Sequence, residues 1–341
     1  MTTSSSSSST TIDTLFAQSW EYLNERALQT AVELGIPDLV ADAPVPLAVL
    51  AEATGSQPDA LKRMLRPLVS GGVLGLTDEG AYARTEKSAV LESGHPESLR
   101  SWYRLMYRIT YRMLDDPMVT LRTGRPSFES RFGNTYFGHF AENPEDGAIF
   151  NGAMVSFTQR TARAVAAAYD FSDAGEIVDI GGGLGHLLAE ILTQHPGATG
   201  TVFDLPQLAE DARKALDAAG LEERATVKSG DFFSAVPSAG THLLSWILHD
   251  WDDEQALAIL RECRRAQSDP DGRLLLVEAV LPEQPEPGLA ASLDMVMLFG
   301  LGGRERTEAE YAALLDQAGY EHTSTLALDG PGLYIIEARP R

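Results

Sequence analysis

The sequence predicts an α/β chain: a mostly helical winged-helix half, followed by a Rossmann-like parallel sheet closed by one antiparallel hairpin. Three observations carry this. Apolar residues recur at helical spacing through the first half, and strand-like apolar segments alternate with helical patterns after Glu176. The last two strand segments are joined directly by Asp329-Gly330-Pro331-Gly332, a hairpin signal. Strands separated by helices imply right-handed βαβ units and a parallel sheet, and the terminal hairpin separates this arrangement from the six-stranded dinucleotide-binding fold.

The serine run Ser4 to Ser9, with threonines on both sides, cannot bury apolar surface, so residues 1–12 are expected to be a disordered tail. From Leu15 to Leu39 the residues Leu15, Trp20, Leu23, Ala27, Leu28, Ala31, Val32 and Leu34 follow a helical period, with Gly35 as a stop. A short apolar stretch at Leu47 to Ala51, a turn at Thr54-Gly55 and a helix from Pro58 to about Ser70 come next. Gly71 to Leu74 and Ala81 to Thr85 suggest a small β-wing around Asp78-Glu79-Gly80. Helix, helix, wing is a winged-helix pattern, assigned to residues 13–95. Residues 96–170 read as a helical linker and substrate-pocket region, dense in aromatics such as Trp102, Tyr103, Tyr107, Phe140 and Phe157.

The sheet domain is expected over 171–341. Its strands are placed at Ile177–Ile180, Thr199–Phe203, Ala225–Lys228, Thr241–Ile247, Arg273–Val280, His322–Leu328 and Leu333–Ala338. Its helices are placed at Leu184–Gln194, Leu208–Ala218, Asp253–Ala266 and Thr307–Gln317.

Composition narrows the function. At 341 residues and 44% hydrophobic the chain can build two sizeable cores. A formal charge of -22 opposes a nucleic-acid or anionic-membrane partner and suits a neutral or cationic small molecule. The winged-helix pattern invites a transcriptional-regulator reading, with Lys62, Arg63 and Arg66 on its second helix. Asp59, the acidic wing and the chain charge oppose it, leaving dimerisation and pocket covering as the preferred role. Cys263, the one cysteine, lies in a helical pattern and reads as a buried core thiol. No apolar run reaches the ~18 residues of a membrane span, and no basic-then-apolar signal opens the chain, so a cytoplasmic location is expected.

The segment Ile177-Val178-Asp179-Ile180-Gly181-Gly182-Gly183-Leu184-Gly185, followed by Thr201-Val202-Phe203-Asp204-Leu205-Pro206, reads as strand, glycine turn, helix and a second strand ending in an acid. Glycines let backbone approach a ligand, and the second-strand acid can accept from ribose hydroxyls. A pyrophosphate-binding turn would be G-x-G-x-x-G, but its third glycine is replaced here by His186. Asp179 before the turn would repel a pyrophosphate and suits a cation, so S-adenosylmethionine is favoured over NAD. Ligands in such sheets bind past the carboxyl ends of the strands. Following each strand to its end gathers Gly230-Asp231-Phe232, Ser245 to Trp251 and Glu278 beside the glycine turn. Asp231 could accept from an adenine amino group with Phe232 lying on the ring face.

Three blocks, VDIGGGLGHLL with FDLP, GDFF with LSWILHDWDDE, and VEAVLP with LDMVMLFGLGGRERTEAEY, closely resemble the plant caffeic-acid-type and bacterial polyketide-type small-molecule O-methyltransferases. More loosely, the resemblance extends over nearly the whole ordered chain. It implies a class I methyltransferase sheet, a homodimer through the N-terminal domain, and methylation of a phenolic hydroxyl of an aromatic, polyketide-like metabolite, giving S-adenosylhomocysteine as product. It implies His249 as general base flanked by Glu278 and Glu305, and cofactor contacts from Gly181, Gly183, Asp204, Leu205, Gly230, Asp231, Phe232, Ser245 and Trp251. It suggests Met154, Asp294 and Met297 in the substrate pocket, with Trp102 and Met106 as further candidates. Plant members usually carry lysine where this chain has Ser245, and the loop from Leu298 to Glu305 is one residue shorter than theirs. The resemblance also leaves room for relatives that bind the cofactor but hydroxylate or decarboxylate polyketides; these tend to lack the histidine base.

The chemistry needs no more than these groups. A sulfonium methyl is already activated, so attack by a phenol requires alignment and loss of one proton, with no metal expected. A phenol titrates near ~10 and an imidazole near ~6.5, so full proton transfer before attack would cost ~5 kcal/mol, which concerted transfer largely avoids. A neighbouring carboxylate fixes the tautomer and stabilises the imidazolium that forms.

Overall fold

The computed structural model describes residues 5–329 and 332–341. Contacts divide the chain into two compact units, Met1–Arg112 with Phe140–Ser156, and Met113–His139 with Phe157–Arg341. The stretch 96–170 is therefore shared between the units rather than forming one of its own.

The first unit is helical. Its long helix Ser5–Glu33 begins inside the expected tail, so Ser5 to Ile12 are helical where disorder was expected, and residues 1–4 lie outside the described residues. Further along this helix the Thr14 hydroxyl donates to the Thr10 carbonyl and that of Ser19 to the Phe16 carbonyl. Gly35, at φ 72, ends the run, and a short helix Ile36–Leu39 follows. Helices Leu47–Ala53 and Pro58–Ser70 precede a two-stranded hairpin, β1 (Gly75–Leu76) and β2 (Tyr82–Ala83), so the wing's first strand lies beyond the expected Gly71–Leu74. Ala31, Ile36, Leu50, Leu65, Leu68 and Tyr82 form the core here. Arg108 ties Glu33 to Glu145 and Asp146 within this unit.

The second unit holds the sheet. Its strands are β3 (Glu176–Ile180), β4 (Thr199–Asp204), β5 (Ala225–Ser229), β6 (Thr241–Ser245), β7 (Arg273–Leu281), β8 (Arg306–Thr307), β9 (Tyr320–Ala327) and β10 (Leu333–Pro340). They run in the order β5-β4-β3-β6-β7-β10-β9, with β8 paired to β7. Strands β3 to β7 are parallel, and β10 is antiparallel to both β7 and β9. Of the expected hairpin signal Asp329-Gly330-Pro331-Gly332, residues 330 and 331 lie outside the described residues.

Both faces of the sheet's centre are covered, which is why strands such as β3, β6 and β7 read as largely apolar runs. Ile177, Leu243, Leu275 and Val277 face one core with Leu187, Leu188, Ile191 and Phe171. Val178, Leu244, Leu274 and Leu276 face the other with Ile259, Leu260, Tyr311 and the buried Cys263. Strand order reverses between β3 and β6, the switch point where sheets of this kind open a crevice. No helix among the described residues is long and apolar enough to cross a membrane.

The glycine turn depends on close packing. Gly185 has φ 78, and a Cβ there would come within 2.8 Å of Val202 Cγ2 on β4. Gly185→Ala adds a left-handed alanine and a steric overlap, and is expected to destabilise the chain by about 2–4 kcal/mol in urea unfolding. An unchanged midpoint would contradict this close approach.

Candidate active site

The sequence-predicted residues past the carboxyl ends of β3, β4 and β6 converge. Gly181 takes φ 71, and a Cβ there would collide with Ile247 Cδ1 and lie 3.8 Å from Phe232. Gly183, at φ 57, faces open space. Asp204, at the end of β4, crosses to this turn: its Oδ2 accepts from Gly183 N–H at 2.7 Å and its Oδ1 from Leu205 N–H at 2.6 Å. Burial pushes the Asp204 carboxyl up, partly offset by the two backbone hydrogen bonds from Leu205 and Gly183. Asp179 is almost fully buried behind it; burial and then the like charge of Asp204 raise it to about 7. A cation beside this pair would draw both carboxyls back towards ionisation.

Around the same turn, Phe232 meets Trp251 edge to face at 6.1 Å, and Leu205 is exposed. Gly230 follows β5 with its Cα against the Phe203 ring. Asp231 makes a turn, its Oδ1 accepting from Phe233 N–H at 2.9 Å, and leaves its other oxygen unused by that bond. Ser245 ends β6 with a buried hydroxyl that has no hydrogen-bond partner among the described residues. The glycine turn, the paired acids Asp179 and Asp204 and the unpartnered Ser245 hydroxyl have a chemistry suited to a nucleoside carrying a cationic group.

Strand β6 stops at Ser245, two residues before the expected end. Trp246 has φ 58, a left-handed conformation rare for a bulky residue, and it turns the chain out of the sheet. The apolar Trp246-Ile247 pair reads as strand, but Glu278 on β7 takes the freed backbone: its Oε1 accepts from Ile247 N–H at 3.1 Å and Leu248 N–H at 2.8 Å. Trp246 packs on Phe157 at 4.8 Å and on His249 at 5.3 Å, and its indole N–H reaches Thr161 Oγ1 at 3.4 Å.

The turn delivers His249 to a buried cluster of acids. His249 Nδ1–H donates to Glu305 Oε1 at 2.8 Å, and Glu305 is only 1% exposed, so it is no solvated loop charge. Glu305 is fixed in turn by Asp294, whose Oδ1 accepts its N–H at 2.9 Å. On the other side of the ring, Asp250 Oδ1 stands 3.4 Å from Nε2. Burial opposes charge on His249, but Asp250, Glu305 and Glu278 outweigh it and hold the imidazole up at about 10. Burial likewise raises Asp250 to about 6 and Glu278 to about 7, with the histidine charge opposing in both. One donor atom each from His249, Glu278 and Glu305 lies within 4.8 Å of the others, a spacing that could also admit a cation. The proton between Nδ1 and Oε1 already occupies the closest of those gaps.

The substrate candidates separate. Asp294 anchors Glu305, and Met297, in the same helix Leu289–Gly300, is buried. Trp102, Met106 and Met154 belong to the first compact unit, half-buried, with Met106 opening a π-helical turn over Met106–Thr110. Asp250 was not singled out in the sequence, although its place directly after the histidine was the available signal.

Comparison with known proteins identifies the family. The family described as O-methyltransferase domain matches residues 111–321, more than half of the chain, and the O-methyltransferase dimerisation domain matches 20–93. Phenazine O-methyltransferase PhzM of Lysobacter antibioticus is 43% identical over 320 residues, 94% of this chain and 93% of that protein. The structure of LaPhzM superimposes with a TM-score of 0.91 at 42% identity, covering 96% of this chain and 99% of that one. The O-methyltransferase NcsB1 from neocarzinostatin biosynthesis, in complex with S-adenosylmethionine and a hydroxy-methyl naphthoic acid, gives 0.82 at 32% identity over 94% of this chain and 96% of its own. Aclacinomycin 10-hydroxylase RdmB of Streptomyces purpurascens is 35% identical over 315 residues, 90% of this chain and 84% of that protein. Both matched domains are those of O-methyltransferases and the relatives align end to end, so the chain belongs to that family and is an S-adenosylmethionine-dependent O-methyltransferase with the class I sheet.

Proposed function

We propose that the enzyme methylates a phenolic hydroxyl of an aromatic, polyketide-like natural product, with His249 as general base. The observation that carries this is a buried imidazole whose Nδ1 is held by Glu305, leaving Nε2 as the nitrogen that can meet an acceptor hydroxyl. The relatives supply the substrate class: phenazines for PhzM, a naphthoic acid for NcsB1.

The bound cofactor supplies an activated methyl group on a sulfonium. In this reading Asp204 would accept from ribose hydroxyls, Asp231 and Phe232 would hold the adenine, Trp251 and Leu205 would wall it, and Gly181, Gly183, Gly230 and Ser245 would let it seat closely. Asp179 and Asp204 would supply negative charge towards the cofactor's cationic groups. His249 takes the phenol proton at Nε2, and Glu305 fixes its tautomer and stabilises the imidazolium. Glu278 acts through the backbone of the turn and through its charge. An acceptor hydroxyl reaching Nε2 displaces Asp250 from that nitrogen or shares it. The scheme uses no metal. We also propose a homodimer: residues 20–93 match the dimerisation domain, and Leu15, Phe16, Trp20 and Leu23 stand exposed along the first helix.

Replacing His249 with Ala, assayed with a phenolic acceptor and a chelator present, is expected to lower S-adenosylhomocysteine formation by ~100-fold or more with little change in cofactor affinity. Unaltered turnover would remove His249 from the base role. The hydroxylase RdmB motivates the second reading, a cofactor-dependent hydroxylation, and a hydroxylated acceptor formed without S-adenosylhomocysteine would establish it.

The raised imidazole sets a pH dependence. An imidazolium cannot accept a proton, so the competent form is the minor one below about 10, and kcat/KM is expected to climb with pH from neutrality towards that value. Glu305→Gln keeps an acceptor oxygen for Nδ1–H but removes a negative charge that favours the imidazolium. Its ascending limb should move to lower pH, at reduced kcat; a limb that stays in place would separate Glu305 from the base.

A further inference from the structure

We propose that Arg306 is a positioning residue for methyl transfer: its buried guanidinium clamps the carbonyl side of the turn that carries His249, so that the ring and Glu305 meet in one fixed geometry. The proposal rests on His249 being the base.

Arg306 is 0% exposed and lies on β8, next to Glu305. Its Nη1–H donates to the Leu248 carbonyl at 2.9 Å and to that of Arg304 at 3.4 Å. Its Nη2–H donates to the Trp251 carbonyl at 2.8 Å, and Nε–H to Asp253 Oδ1 at 2.9 Å. The acceptors thus bracket His249, one residue before it and two after, and reach the start of the helix Asp253–Ala266. The same segment adds a backbone bond, Arg304 N–H to the His249 carbonyl at 2.8 Å. Gly303 permits this approach, since a Cβ there would collide with the His249 and Asp250 carbonyls.

The turn is therefore held from two sides by opposite charges. Glu278 takes its N–H groups at Ile247 and Leu248, while Arg306 takes its carbonyls at Leu248 and Trp251. A buried guanidinium is costly unless its N–H groups are all engaged and its charge is countered. Here the one carboxylate bonded to it, Asp253, is 56% exposed, and the other partners are carbonyls of the turn and of Arg304. The cation is committed to the turn rather than to a buried ion pair. A planar fork can hold separate carbonyls at fixed angles, whereas a lysine ammonium on a flexible stem cannot. Misplacement of a reacting group by about 1 Å can cost ~100-fold in rate, so this clamp bears directly on the base.

The test is steady-state kinetics on the full chain with Arg306→Lys, which keeps the charge and loses the fork. The expected result is kcat lower by about 10- to 100-fold, KM for S-adenosylmethionine within about twofold, and the ascending limb of kcat/KM displaced to lower pH as the Nδ1–Oε1 bond weakens. Asp253→Asn loosens the guanidinium from its exposed side, and should show the same pattern at about threefold in kcat; it decides the question if Arg306→Lys does not fold. A folded Arg306→Lys enzyme with wild-type kcat and pH limb would overturn the proposal. So would a loss of rate that merely follows the folded fraction seen by circular dichroism, with the limb unmoved. If His249→Ala is inactive while both variants behave as wild type, the base assignment stands and this proposal alone fails.

Discussion

The active site depends on one hydrogen-bonding constraint: where β6 leaves the sheet, its backbone must find partners other than a neighbouring strand. Trp246 turns out at φ 58, a conformation costing about 1–3 kcal/mol that persists only where surrounding structure over-determines it. Glu278 supplies that structure, receiving the next two N–H groups in place of the ladder. Buried polar backbone is costly when unpaired, so the carboxylate and the turn require one another. His249 sits at the apex of what results.

The same choice sets the electrostatics. Using a carboxylate to hold the turn brings negative charge close to the imidazole, and Glu305 and Asp250 add more. The imidazole is consequently biased towards its charged form, which stabilises the state reached after proton transfer while disfavouring the form that begins it. Under the proposed role of His249, an imidazole held at about 10 would be closely matched to a phenol, which titrates near ~10, whereas an ordinary imidazole would leave a gap worth ~5 kcal/mol. In the proposed mechanism, such matching would lower the cost of a proton moving in concert with a methyl group.

Much of this was legible in the chain because it is carried by local patterns. The parallel strands announce themselves as apolar runs covered on both faces, and the glycine turn by residues that tolerate positive φ. His249, Glu278 and Glu305 stand in the blocks that resemble the family. What was not legible depends on partners distant in sequence. Trp246 and Ile247 extend a strand pattern, and only Glu278, 31 residues after Ile247, shows why the strand ends earlier. The two-residue β8 is too short for any periodicity. Asp294 reads as a pocket acid in a helix, yet its carboxyl anchors the backbone of Glu305. Arg306 reads as one more charge in GGRERT, a loop-like string, and its complete burial follows from four carbonyl and carboxylate partners that sequence spacing does not bring together. The helical start at Ser5 escaped notice because a serine run carries no apolar period.

The central claim is that buried carboxylates hold His249 as a base matched to a phenol. The most direct measurement is a pH titration of the His249 ring by nitrogen-15 NMR in the full-length enzyme, with the signal assigned by its loss in a His249 variant. The account predicts a midpoint near 10 and an Nδ1 that keeps its proton in the neutral form. A midpoint at or below the ordinary imidazole value of about 6.5, or a neutral form protonated at Nε2, would contradict it.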